Sequence, residues 1–291
     1  MSRARAFAEL ARPQQWAKNS FVLTGLLFGH AWNDPALVGA AAAATLVFCL
    51  ASSAVYAYND AHDAARDRNH PVKRNRPVAR GALSPREAKS AAAVLGLAAL
   101  GAAAAVGAVV AGAVALYLAL NVAYTRVLKH VPVIDVFIIA AGFMLRLLAG
   151  TAGLGIAPSN WLLLCGLLLT LMLGFGKRRA ELEQLEVDAS RHRAVLEAYS
   201  AGFLEHAVLV CAAGTIVCYA LYTVAPQTAA LHGTTQLVLT LPWVLLGTFR
   251  YLFRLHFRGG GGDPTDELLR DPVLAGSALG WAATVFWLLR A

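Results

Sequence analysis

Asp60, Asp63 and Asp67 stand at i, i+3 and i+7, so on a helix their three carboxylates share one face. Carboxylates held that close repel one another unless a divalent cation neutralises them. Asn59 adds a neutral oxygen at the start of the group. Arg68, Lys73, Arg74 and Arg76 follow at once, and guanidinium and ammonium groups suit phosphate oxygens. The expected chemistry is Mg2+ shared between these carboxylates and a diphosphate, since that ion is commonly held by one or two carboxylates plus substrate phosphate oxygens.

Other residues carry weaker signals. Lys177 and Arg178 leave the end of an apolar run, and Glu181 follows Lys177 by one turn. They fit an i, i+4 ion pair among ordinary loop cations or part of an anion site, and the sequence leaves both open. Arg146 lies deep inside another apolar run. A buried guanidinium there calls for an anionic partner, either an aspartate on another helix or a ligand phosphate. Lys129 and Tyr124, around the short stretch TRVLKHVPVID, fit interfacial anchoring as well as ligand binding. The glycine run Gly259 to Gly262 lacks the Gly-Lys-Ser/Thr ending of a phosphate loop and reads as a linker. The eight histidines show no metal-ligand spacing. The four cysteines all sit in apolar segments and read as buried thiols.

The elements that must position these groups are membrane helices. Of 291 residues, 58% are hydrophobic and 14% charged, whereas a soluble domain carries roughly a quarter charged residues. Apolar windows near the ~20 residues needed to cross a bilayer fall at 19–33, 35–58, 88–110, 112–128, 132–151, 159–176, 203–225, 236–255 and 272–290. The expected fold is therefore all-α: a polytopic membrane protein of nine transmembrane helices, one helical domain over 1–291. The first window is the weakest, interrupted by Thr24, Gly25 and Gly29. Gly96, Gly101 and Gly107 in the third window permit close helix approach.

Charge supports this layout. Of the 25 Lys and Arg, all but Arg146 and Arg290 fall before the first window, in alternate loops or in the window ends that border those loops. Nine spans with the N-terminus in the cytosol bring every basic loop to the cytosolic side. The loops 59–90 and 176–202 then open on that face, and the net charge of +8 reports topology and anionic ligands rather than nucleic acid.

Asn59-Asp60-x-x-Asp63-x-x-x-Asp67 among nine spans resembles the UbiA superfamily of intramembrane prenyltransferases. Many members carry a second aspartate-rich motif in the sixth-to-seventh loop. Here the acids of its opening stretch GKRRAELEQLEVD are Glu181, Glu183, Glu186 and Asp188, no two of them four apart. Several stretches are similar to one branch, the decaprenyl-phosphate phosphoribosyltransferases: RPQQWAKN (Arg12 to Asn19), DRNHPVKRNRPVARG (Asp67 to Gly81), LKHVPVIDVFIIAAGFMLRLLAG (Leu128 to Gly150), GKRRAEL (Gly176 to Leu182) and RDPVL (Arg270 to Leu274).

The resemblance implies a UbiA-like bundle with a cytosolic-facing cavity in a bacterial inner membrane. It implies Mg2+-dependent transfer of 5-phosphoribosyl from phosphoribosyl diphosphate to a polyprenyl phosphate, a step toward cell-wall arabinan. Asp60, Asp63 and Asp67 would hold the metal and carry the catalysis, with Asn59, Arg68, Lys73, Arg74, Arg76, Lys129, Arg146, Lys177, Arg178 and Glu181 around the two substrates. Small-residue helices also permit a homo-oligomer. The competing enzyme is a prenyltransferase with a hydrophobic acceptor, which needs fewer cations near Lys73 to Arg76 and more acids in the second loop. An anion transporter would place polar residues through both leaflets, but the loops Gly150 to Asn160 and Pro226 to Gln236 hold no Lys, Arg, Asp or Glu.

Overall fold

A computed structural model describes residues 2–70, 72–187, 194–257, 267, 268 and 270–290. Pro71, Asp188, Arg191, Arg193, Arg258 and the glycine run Gly259 to Gly262, together with the Glu186 side chain, lie outside the described residues. Among the described residues every regular element is helical. The elements are α1 (Arg3–Ala11), a 3-10 stretch (Pro13–Leu23), α2 (Thr24–Phe28), α3 (Pro35–Asp67), α4 (Pro85–Val106), α5 (Ala108–Arg126), α6 (Ile134–Gly150), α7 (Asn160–Val187), α8 (Ala201–Val224), α9 (Pro226–His232), α10 (Leu241–Phe257) and α11 (Pro272–Arg290). The helices gather into two compact units, one holding the chain to Pro158 and the other Ser159 onward.

Among the described residues, eight helices are long and apolar enough to cross a membrane. Their outward side chains are apolar: Leu97 and Leu279 are 71% exposed and Val210 70%, which suits lipid rather than water. This is a multi-pass membrane protein.

The first apolar window is not a ninth long helix. It is split between the 3-10 stretch, the five-residue α2 and a further 3-10 turn, Ala31–Asn33. The broken segment nevertheless runs antiparallel to α3. Arg12 pairs with Asp60, Trp16 Nε1 donates to Ser53 Oγ at 3.1 Å, and Asn19 Nδ2 lies 3.2 Å from Cys49 Sγ. Val22 then joins the core cluster of Ala44, Val47 and Phe48. From Arg12 to Val22 the 3-10 rise covers about 20 Å, matching about 20 Å of α-helix between Asp60 and Val47.

Two glycines explain why this segment lies so close. A Cβ on Gly25 would sit 1.8 Å from the Gly150 carbonyl oxygen, and one on Gly150 would sit 1.7 Å from that of Val22. Backbone therefore rests on backbone, and α6 cannot accept a methyl at this point. Gly150→Ala is expected to destabilise the protein by about 1–3 kcal/mol through overpacking, read as a lowered thermal midpoint in detergent; an unchanged midpoint contradicts the contact. The glycines expected to bring helices together play no such part. Gly101 has open space where its Cβ would be, and Gly96 makes only ordinary contacts at 3.9 Å.

Helix ends follow local sequence. Asp34 caps α3 by accepting from the Ala36 and Leu37 amides at 2.8 and 3.3 Å, with Pro35 at the first helical position. Ser84 and Glu87 form a capping box at α4. At 33 residues, α3 is about 50 Å long, well beyond a ~30 Å hydrocarbon core. Its last turns, expected from sequence to begin a loop, remain helical through Asp67. There α1 docks: Ala6 and Leu10 pack with Ala57, Ala61, Ala64, Val78 and Leu83.

Candidate active site

The acidic face at the end of α3 is split by its partners. Asp60 and Asp67 are buried, 1% and 3% exposed, and one arginine joins them. Arg76 Nη1 lies 2.7 Å from Asp67 Oδ2 and 3.2 Å from Asp60 Oδ1. Arg12 Nη2 also reaches Asp60 Oδ1, at 2.5 Å. Both cations lean on the same oxygen. Asp60 Oδ2 is buried with no hydrogen-bond partner.

Arg12 arrives there because of its backbone. It ends α1 in the left-handed conformation, φ 50° and ψ 60°, which a non-glycine residue adopts rarely and at a cost. The turn aims its guanidinium at α3, 4.9 Å from the Tyr56 ring centroid. Burial lowers the Arg12 guanidinium from its ordinary value and Asp60 opposes that shift.

Asp63 faces elsewhere. Its carboxylate takes Lys129 Nζ at 2.7 and 3.0 Å, and Lys129 is 5% exposed. Lys129 is thus the buried counter-ion of Asp63. Asn59 Oδ1 accepts from Thr125 Oγ1 at 3.0 Å. The three aspartates share a helix face but not a single focus. Among the described residues no cluster of three or more His, Cys, Asp or Glu is arranged to hold a metal. The orphaned Asp60 Oδ2 is still what a cation ligand looks like before the cation arrives, because a buried carboxylate oxygen without a donor is costly. The residues fit a divalent ion on Asp60 and Asp67.

The cations of the following loop are spread out. Arg68 Nε donates to the Ala79 carbonyl at 3.3 Å. Lys73 and Arg74 sit on a 3-10 turn, Lys73–Asn75, with Arg74 exposed. Arg76 is the cation of this loop that pairs with Asp60 and Asp67 among the contacts of the described residues.

Arg146 meets no aspartate from another helix among the described residues. Its three hydrogen bonds go to neutral groups: Asn19 Oδ1 at 2.7 Å, the Gly142 carbonyl at 2.8 Å and the Tyr117 hydroxyl at 3.1 Å. The rings of Tyr117, Phe48 and Phe143 surround its guanidinium at 4.7, 5.4 and 5.5 Å. Ring faces and three acceptors spread the charge in place of an anion. Arg146 is a strut joining the 3-10 stretch, α5 and α6.

In the second unit, the last turns of α7 hold Lys177, Arg178 and Glu181. Arg178 is 1% exposed, and its Nη1 meets Glu181 Oε2 at 2.5 Å. Glu181 therefore pairs with Arg178 three residues earlier. Arg179 bonds Glu205 of α8 at 2.9 Å. The RDPVL stretch is a clamp: Asp271 caps α11 through the Val273 and Leu274 amides, both 3.0 Å away. It also takes Arg250 Nη2 at 2.8 Å and Arg254 Nη1 at 3.1 Å. Hydrogen bonds from Arg250 hold the Asp271 carboxyl well below the usual carboxylate range, against the opposing effect of burial.

Sequence reasoning overlooked Arg12 and Asn19 as site residues, although they begin and end RPQQWAKN. That stretch, similar to the phosphoribosyltransferase branch, was the available signal. It also gave no hint of Tyr117 beneath Arg146.

Comparison with known proteins places these features in a family. The UbiA prenyltransferase family matches residues 19–263. A decaprenyl-phosphate phosphoribosyltransferase of Mycolicibacterium smegmatis is 33% identical, over 94% of this chain and 89% of its own length. The protein of that name from Corynebacterium glutamicum is 35% identical, over 93% and 82%. The one from Mycobacterium tuberculosis is 34% identical, over 94% and 91%. Among solved structures, a UbiA homolog from Archaeoglobus fulgidus bound to DMAPP and Mg2+ superposes with a TM-score of 0.74 at 19% identity, covering 98% of this chain and 99% of that one. At that identity the likeness speaks for the fold.

Proposed function

We propose, from the premise that this chain belongs to the UbiA prenyltransferase family, that it transfers 5-phosphoribosyl from phosphoribosyl diphosphate to a polyprenyl phosphate. Diphosphate is released and a lipid-linked phosphoribose, of the kind used for arabinan, is formed. The observation that carries this reading is the similarity along 93–94% of the chain to decaprenyl-phosphate phosphoribosyltransferases.

The residues suit the reaction. The donor carries a phosphate at one end of a ribose and a diphosphate at the other, so it needs several cations close to few acids. Arg12 and Arg76 offer them beside Asp60 and Asp67, and Arg74 is exposed on the turn that precedes Arg76. Mg2+, when bound to these carboxylates, would neutralise the diphosphate and make it a better leaving group. Asp63, held by Lys129, joins that pair only by leaving its ion pair. Arg12 and Arg76, which neutralise Asp60 in the absence of ligand, are then available to phosphate oxygens. Loss of diphosphate leaves an oxocarbenium-like C1, as in glycoside cleavage. The acceptor phosphate is already an anion near neutral pH, so its oxygen attacks C1 without a general base. Lys177 and Arg178 are assigned to orienting a phosphate in this reading.

The reading also sets the protein in a bacterial inner membrane with nine passes: eight long helices and the broken segment beside α3. Odd parity brings the N-terminus and all basic loops to the cytosol. The excess length of α3 carries Asp60 to Asp67 to the headgroup layer, where a water-soluble donor meets a lipid phosphate. Both units belong to one membrane domain, since the family match runs through both.

Purified protein in detergent, given phosphoribosyl diphosphate, Mg2+ and a polyprenyl phosphate, is expected to release diphosphate only with both substrates present. Turnover of a prenyl diphosphate with a hydrophobic acceptor instead would decide for the competing prenyltransferase.

A further inference from the structure

Tyr251, on α10 in the second unit, carries a hydroxyl that the reaction as described does not use. The residue is 5% exposed, and its hydroxyl is buried without a hydrogen-bond partner. Besides the Asp60 oxygen, it is the one such side-chain atom among the described residues. A phenol buried in a helical bundle normally finds an acceptor, because leaving the donor unmet is costly.

Its position is specific. The hydroxyl presses on Gly176 of α7, where an added Cβ would lie 2.0 Å from the oxygen and 3.0 Å from the ring carbon that bears it. Any other residue at 176 would push the ring away. Gly176 opens GKRRAEL, so the next two residues are Lys177 and Arg178. An unmet O–H donor beside the start of a cationic turn is complementary to an anion with several acceptor oxygens. The nearby carboxylates are already engaged, Glu181 by Arg178 at 2.5 Å and Glu267, which lies near Tyr251, by Arg254 at 2.7 Å. The ends of both helices are fixed: Arg179 ties α7 to α8 through Glu205, and Arg250 and Arg254 tie α10 to α11 through Asp271. The hydroxyl is thus held in place rather than free to seek a partner.

We propose that the Tyr251 hydroxyl is a phosphate-binding donor that, with Lys177 and Arg178, forms a phosphate subsite in the second unit. This rests on the phosphoryl-transfer reading above and deepens it. Both substrates carry phosphate, and the test separates them. Gly176 serves the subsite by admitting the hydroxyl against its backbone.

Equilibrium binding of a polyprenyl phosphate and of phosphoribosyl diphosphate is measured in detergent for wild type and for Tyr251→Phe, alongside a thermal melt. Binding of one of the two is expected to weaken by about tenfold or more in the variant, as for loss of a hydrogen bond to a charged group. The affected ligand identifies whose phosphate occupies the subsite. The melt is expected to stay level or rise, since the variant removes an unmet buried donor. Unchanged affinity for both ligands overturns the proposal, as does a clear fall in melting temperature with binding intact, which would make the hydroxyl structural. Gly176→Ala is expected to weaken the same ligand by displacing the ring. Should wild type bind both phosphates yet release no diphosphate, the phosphoribosyl reading fails while the binding data still decide the subsite.

Discussion

Asp60→Asn is expected to lower turnover by about a thousandfold or more, equivalent to roughly 4 kcal/mol of transition-state stabilisation, while the fold survives. The activity loss follows from the charge. Asp60 is 1% exposed and keeps one oxygen without a hydrogen-bond partner, and an amide there is a far weaker cation ligand than a carboxylate. The fold survives because the cations left behind have other recourse. Arg76 retains Asp67 at 2.7 Å. The Arg12 side chain is 20% exposed and lies 4.9 Å from the Tyr56 ring centroid, so solvent and the ring face take up part of its charge. The amide oxygen of the variant can still face both arginines, with the amide nitrogen taking the place of Oδ2. The net change in stability is expected to stay within about 1–2 kcal/mol. Diphosphate release with both substrates and Mg2+, beside a circular-dichroism melt, checks both parts. Retention of more than a tenth of wild-type turnover would contradict the role given to this carboxylate.

Asp63→Asn should behave in the opposite way, with a large loss of stability, about 3–5 kcal/mol, because it strands a buried ammonium. Lys129 is 5% exposed and places its Nζ 2.7 and 3.0 Å from the two Asp63 oxygens. Once the carboxylate becomes an amide, the lysine keeps its desolvation cost and loses the charge that offset it. Replacing the lysine as well removes the penalty. Asp63→Asn with Lys129→Met is therefore expected to melt close to wild type, and the cycle to show a coupling of about 2 kcal/mol or more. Additive single effects would mean that the pair does not hold α3 to the α5–α6 connection. Turnover of the double variant then says which kind of residue Asp63 is. Recovery alongside stability makes it a structural counter-ion, whereas a folded but inactive double variant makes it a cation ligand as well.

These two expectations separate residues that look equivalent along the chain. Three aspartates at helical spacing were legible, as was their place directly after a long apolar run, because helix periodicity and hydrophobic length are local properties. Their division into an arginine-bridged pair and a lysine-bound single was not, since Arg12 and Lys129 come from elsewhere in the chain. The same holds for Arg146. Its burial was readable from the apolar run around it, but its protein partners, Asn19, a backbone carbonyl and three aromatic rings, were not. Glu181 was matched to Lys177 by the i, i+4 rule, while the fold pairs it with the more deeply buried Arg178 at i, i+3. The first apolar window was recognised as irregular from Thr24, Gly25 and Gly29, yet the reason lies 125 residues away from Gly25 at Gly150, whose carbonyl occupies the space a Cβ would need.

By itself the amino-acid sequence determined the class of protein, the places where its long helices run and the alternation of its basic loops. Hydrophobic length and charge act along the chain and need no partner to be read. Tertiary structure alone decided which cation neutralises which carboxylate, which oxygen and which hydroxyl remain unmet, and where one backbone rests on another. Those outcomes depend on residues far apart in sequence meeting at contact distance, where a shift of an ångström makes or breaks the bond.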